Sequence, residues 1–118
     1  MEKNQKRLIV FMPSMDGGGV EKNIIIVTNY LSNFIEKITL ITFDKRFNNQ
    51  FKKNIQIINA KKNSNKHYSK YYKYFFCLKI LARKVIADRN ISVFAFQANI
   101  YCIILSKILN FKLIVRSN

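Results

Sequence analysis

Apolar and polar positions fall into blocks whose periods change along the chain. The first block, "RLIVFM" at 7–12, is a continuous apolar run bounded by Pro13, the pattern of a strand buried on both faces. Gly17, Gly18 and Gly19 follow. Val20, Ile24, Val27, Leu31 and Phe34 then recur at helical spacing and predict a helix over 20–34. "KITLITF" at 37–43 is β-branched and predicts a second strand, and "NIQIINA" at 54–60 predicts a weaker third. The stretch between them, "DKRFNNQFKK", reads as a polar surface loop, and "KKNSNK" at 61–66 as another polar connector. Over 67–89 the period is helical again, with Tyr71, Phe75, Leu78, Ala82 and Val85 as the expected core stripe. "ISVFAF" at 91–96, "ANIYCIILSKIL" at 98–109 and "KLIVRS" at 112–117 predict strand, helix and strand.

Strands alternating with helices in the order β-α-β-β-α-β-α-β predict an α/β fold, a doubly wound and mostly parallel Rossmann-like sheet. No internal repeat or low-complexity linker divides the chain, so residues 1–118 are expected to form one domain. Ligands of open parallel sheets sit beyond the carboxyl ends of the strands, in the loops that lead into helices. The last predicted strand runs to Asn118 with no helix after it, which predicts an incomplete chain; a natural domain end is the alternative.

Composition sharpens this picture in one respect. Twenty-one Lys and Arg against six Asp and Glu give a formal charge of +15, which favours anionic partners such as nucleic acid, acidic lipid or phosphorylated ligands. The abundance of Lys, Asn and Ile along the whole chain is an equally good source of that charge. At 49% hydrophobic and 23% charged residues, the chain is expected to fold. Cys77 and Cys102 lie in apolar patterns and read as buried thiols of a reduced compartment. With one histidine, His67, and no CxxC pair, no metal site is expected. The apolar run before Pro13 is too short for a signal peptide or a membrane span, so a cytoplasmic location is expected.

The glycine triplet carries the candidate chemistry. It follows a strand and opens a helix, where unpaired N–H groups and the positive dipole end accept phosphate or carboxylate oxygens. Glycine removes the Cβ atoms that would obstruct that approach. Asp16 is placed to brace the turn, and Glu21 lies in the first helical turn. A Walker A loop does not fit, because Lys22 follows Glu21 and precedes Asn23. A dinucleotide fingerprint does not fit either: Lys22 stands where its third glycine belongs, and Asp44 lies too far along for the ribose acid. A tight turn that only packs helix on strand is the plainer alternative.

The stretch "MPSMDGGGVEKNIIIVTNYL" resembles the opening of family 4 glycosyltransferases, whose N-terminal domain begins with a strand, a Gly-Gly-hydrophobic-Glu loop and an amphipathic helix. "ISVFAFQANIYCIILSKILNFKLIVRSN" looks like the fourth strand, helix and fifth strand of the same domain. The resemblance implies the N-terminal, acceptor-side half of a two-domain GT-B enzyme that moves a sugar from a nucleotide-sugar to a glycan or lipid-linked acceptor, as in polysaccharide biosynthesis. It implies that Gly17, Gly18 and Gly19 face the donor's sugar and diphosphate, and that Glu21, Gln97, Asn99, Arg116 and Asn118 line the acceptor-side cleft. No catalytic residue is assigned, because the family's histidine near Gln97 and Asn99 is missing. The paired glutamates that recognise the donor belong to the other half, so this chain alone is expected to be inactive. A non-catalytic remnant, or one subunit of a split enzyme with a donor-domain partner chain, remains an alternative. No cofactor is expected beyond the nucleotide-sugar co-substrate.

The predicted helix at 67–89 adds a second candidate. Lys66, Lys70, Lys73 and Lys84 fall on one face, and Tyr72, Phe76 and Ile80 lie outside the expected core stripe. Aromatics beside lysines suit an anionic membrane surface, here the inner face; a sheet-covering helix with a solvated lysine face explains them as well. A basic polyanion-binding domain is the rival from another class, but no nucleic-acid recognition module is present.

Overall fold

β-branched and aliphatic blocks become strands, and 3.6-period blocks become the helices between them. A computed structural model describes residues 4–15, 19–45, 47–59, 69–88 and 90–115. In chain order these form β1 (Asn4–Phe11), α1 (Gly19–Leu31), β2 (Ile35–Thr42), β3 (Ile55–Asn59), α2 (Lys70–Ala87), β4 (Ile91–Ala95), α3 (Asn99–Leu109) and β5 (Lys112–Val115), with a 3-10 turn at Asn48–Gln50. The strands make one sheet in the order β3-β2-β1-β4-β5, and every neighbouring pair is parallel. The fold is a Rossmann-like α/β sheet. Its order reverses between β1 and β4, where a crevice opens at the carboxyl ends of such sheets.

Side chains alternate across β1 to build two cores. Leu8, Val10 and Met12 pack with Ile24 of α1 on one face. Ile9 and Phe11 pack on the other with Cys77, Leu81 and Val85 of α2 and Cys102 of α3. The sheet is thus covered by one helix on one face and by two on the other.

Three sequence expectations need correction. The first helix ends at Leu31, not at 34. The amides of Ser32, Asn33 and Phe34 bond back to Thr28, Tyr30 and Leu31, and the Ser32 hydroxyl donates to Asn29 O at 2.6 Å, so the chain turns early into β2. The loop between β2 and β3 is not purely polar: Phe51 is buried in the first core and Phe47 packs against it. The inward stripe of α2 is also rotated from the expected one. Tyr74, Cys77, Leu81 and Val85 are buried, whereas Tyr71 is 70% and Phe75 59% exposed. Ser69 caps the helix by accepting from the Tyr72 amide at 3.2 Å, which fixes the first turn. Lys73, placed by the sequence on a solvated face, is turned inward onto Asp44 with only 12% of its side chain exposed. Lys84 is half-buried, and Phe76 and Ile80 pack against the second core. The side chain of Lys70, and Lys66 as a whole, lie outside the described residues.

Candidate functional site

The carboxyl end of β1 is held by both of its neighbours beyond the last strand residue. Met12 N–H donates to Ile41 O at 3.1 Å, and Phe96 N–H donates to Phe11 O at 2.9 Å. Pro13 has no N–H to give, but its carbonyl accepts from Phe43 N–H at 2.8 Å. The next two amides are taken by side chains. Ser14 N–H donates to Gln97 Oε1 at 2.8 Å, from the end of β4. Met15 N–H donates to Asp44 Oδ2 at 3.0 Å, from the end of β2. The backbone that leads into the glycine triplet is therefore clamped from both sides of the switch point.

The Asp44 clamp is itself buttressed. Lys73 Nζ donates to the same Oδ2 at 3.0 Å, in a pair whose side chains are only 12% and 14% exposed. Its ammonium lies 5.9 Å from the Phe43 ring centroid. Asn59, the last residue of β3, donates to Asp44 O at 2.9 Å and accepts from Asn48 Nδ2 at 2.8 Å. The bonds that the Asp44 carboxylate accepts from Met15 and Lys73 are charge-assisted, roughly twice as strong as neutral ones. On the other side, Gln97 is followed by Ala98 in the left-handed region (φ 56°), which caps α3 without a side-chain bond. A Cβ in that conformation costs on the order of 1 kcal/mol, so packing, not local preference, holds the turn that aims Gln97 at Ser14.

Each helix follows a parallel strand, so α1, α2 and α3 all begin at this end of the sheet. Their positive ends favour an anion above the β1–α1 loop. Gly19 opens α1, and Glu21 lies in its first turn, 5% exposed. Gln97 and Asn99 are half-buried on either side of Ala98. Asp16, Gly17, Gly18, His67, Arg116 and Asn118 lie outside the described residues. The structure thus brings Gln97 onto the loop. It adds Asp44 and Lys73, which the sequence treats as a misplaced ribose acid and a surface lysine. Their only sequence signal is an acid directly after a β-branched strand.

Other groups are excluded from nucleophilic work by their surroundings. Burial pushes the Cys77 and Cys102 thiols up to about 12, so neither is a thiolate near neutral pH. Among the described residues no group of three His, Cys, Asp or Glu is placed to hold a metal ion. A cavity of about 520 Å³ lies at the opposite, amino end of the strands, lined by Arg7, Lys37, Lys84, Glu36 and Asp88 among others. There the Arg7 guanidinium bonds Asp88 and holds its carboxyl below the usual carboxylate range.

No protein-family model matches the chain, and no curated protein matches it. Among solved structures, the crystal structure of a glycosyltransferase from Rickettsia africae ESF-5 is similar over 95% of this chain, with a TM-score of 0.61 and 21% identity. The same match covers 29% of that chain, so this chain spans under a third of the neighbour's length. Strand order, all-parallel pairing and this likeness together make the fold glycosyltransferase-like.

Proposed function

We propose that this chain supplies the acceptor-side half of a glycosyltransferase, receiving a glycosyl diphosphate at the β1–α1 loop. The observation that carries it is the double clamp: Gln97 and Asp44 fix the Ser14 and Met15 amides just before the glycine triplet. Backbone fixed in advance beside a helix N-terminus loses little entropy when an anion docks, the condition for preorganised phosphate recognition. The glycosyltransferase-like fold supports the same reading. The donor is then a nucleotide-sugar, and the acceptor, a glycan or lipid-linked sugar, is assigned to Glu21, Gln97, Asn99, Arg116 and Asn118. No side chain of the clamp is offered as acid, base or nucleophile. Recognition of the donor nucleotide falls to polypeptide outside the matched region, in a second half or in a partner chain, and the chain alone transfers no sugar.

The test is an amide-resolved NMR titration of the 118-residue chain with UDP-glucose, GDP-mannose and inorganic pyrophosphate. Shifts confined to residues 14–21 and 97–99 are expected, weak and shared by all three ligands. Shifts confined to the amino-end cavity, or none at millimolar ligand, overturn the proposal. So does sugar transfer by the chain alone to a lipid-linked acceptor.

A further inference from the structure

The layer formed by α2 and α3 has an outer surface that the core does not use. On α3, Ile100, Ile104 and Ile108 are 72%, 53% and 71% exposed and follow one another at intervals of four residues, so they form one continuous ridge along the helix. On α2, the rotation that buries Tyr74 leaves Tyr71 and Phe75 outside. The Tyr74 ring meets half-exposed Tyr101 of α3 edge-on at 6.3 Å, and Tyr71 meets Tyr74 at 6.3 Å, so aromatic rings join the two helices into one patch. Its three isoleucines with Tyr101, Tyr71 and Phe75 leave on the order of 700 Å² bare, more than the roughly 300–600 Å² of the largest patch on an ordinary monomer. Lys79, Arg83 and Lys107 stand exposed beside it, and neither helix contains an Asp or Glu.

We infer that this patch is the interface of a homodimer, in which α3 packs on α3 of a second copy about a two-fold axis near Ile104. A ridge of residues four apart fits between the same ridges of another helix at a crossing of about −50°, the commonest helix packing in globular proteins. Such an interface is isologous, so the partner surface it needs is the one the chain already carries. Area points the same way: about 700 Å² per copy approaches the roughly 800 Å² per partner that a stable complex of ordinary size buries. The ridge itself is uncharged, as the cores of homodimer interfaces are. Charge opposes the contact, since each copy carries +15 and only cations flank the patch. At physiological salt that repulsion is screened beyond about 8 Å, which leaves apolar contact as the driving term and lets charge limit the affinity. The dimer therefore tightens as salt rises, the reverse of what ion pairing or polyanion binding gives. This inference does not depend on the transferase proposal.

Sedimentation velocity of the full chain tests it, from low micromolar to hundreds of micromolar protein, at physiological salt and at about 0.5 M salt. A concentration-dependent rise to twice the monomer mass is expected, with a dissociation constant several-fold lower at the higher salt. Ile104→Lys sets two ammonium groups together at the axis and should weaken the dimer about a hundredfold. Ile26→Lys adds the same charge on α1, across the sheet at a site 66% exposed, and should leave the dimer unchanged. Matching circular dichroism melts of dilute samples would establish that the variants fold. Ile104→Cys should form an intermolecular disulfide in air that Ile26→Cys does not, because the native thiols of Cys77 and Cys102 are buried and do not compete. A chain that stays monomeric at every concentration and both salts overturns the inference, whether or not the patch then engages lipid vesicles or another protein. A dimer that Ile104→Lys leaves intact, or one that dissociates as salt rises, also overturns it.

Discussion

The two ends of the sheet use charge in opposite ways. At the carboxyl end, Asp44 and Gln97 spend their oxygens on backbone amides of one loop, and Lys73 reinforces Asp44 in a half-dry setting. At the amino end, Arg7 bonds Asp88 beside an open cavity, with half of the arginine side chain in water, and the other Asp88 oxygen accepts from the Asn90 amide only two residues on. The strands are the same, so strand geometry does not make the difference. What differs is whether a side chain replaces a backbone hydrogen bond that the strand has stopped making. Beyond Pro13 the ladder has no partner strand for Ser14 and Met15, and side chains just past β2 and β4 complete it. A clamp of that kind fixes the backbone that enters the loop. An exposed pair contributes little to it.

Removing the buttressed acid should have the largest effect. Asp44→Ala removes the carboxylate that Lys73 pairs with and orphans the Met15 amide, and urea unfolding is expected to show a loss of about 2–4 kcal/mol. An unchanged midpoint would break the contrast between the two ends. Gln97→Ala removes one neutral acceptor and should lose about 1–2 kcal/mol, with faster hydrogen exchange at Ser14 as its local signature. Ala98→Gly relieves the left-handed strain and should gain about 0.5–1 kcal/mol, read as a higher melting temperature.

Arg7→Ala should change least. Asp88's carboxyl is depressed in the folded state, chiefly by the Arg7 hydrogen bond, so the pair contributes above the ordinary carboxylate value of 3.8 and fades as pH falls below it. Melts of wild type and Arg7→Ala should differ slightly at neutral pH and converge in acid. A gap that persists at low pH would show that Arg7 acts through something other than Asp88.

Element order was legible because strands and helices here have well-separated periods. "RLIVFM" cannot present one wet face, and the Ile24, Val27, Leu31 spacing cannot be read as a strand. Rotation of α2 was not legible. Its residues are apolar on nearly every side, so 71-75-78-82-85 and 74-77-81-85 are equally helical stripes. The choice between them was made by the Ser69 cap and by the pull of Asp44 on Lys73, which lies 29 residues away in sequence. Burial of Phe51 is not legible for a related reason: a single aromatic in a polar stretch has no period to betray it.

Gln97 was readable as a candidate because it is a polar residue placed just past a β-branched strand. Its partner was not readable, since nothing local links residue 97 to the amide of Ser14, 83 positions earlier. The sequence by itself determined the fold class, the order of elements and the place of the glycine loop, because each depends on periodicity and on residues a few positions apart. Only the tertiary structure decided which acid braces the loop, which face of α2 is dry and which apolar side chains are left for a partner. Those outcomes depend on which strands become neighbours, and parallel pairing brings together residues that the chain keeps far apart.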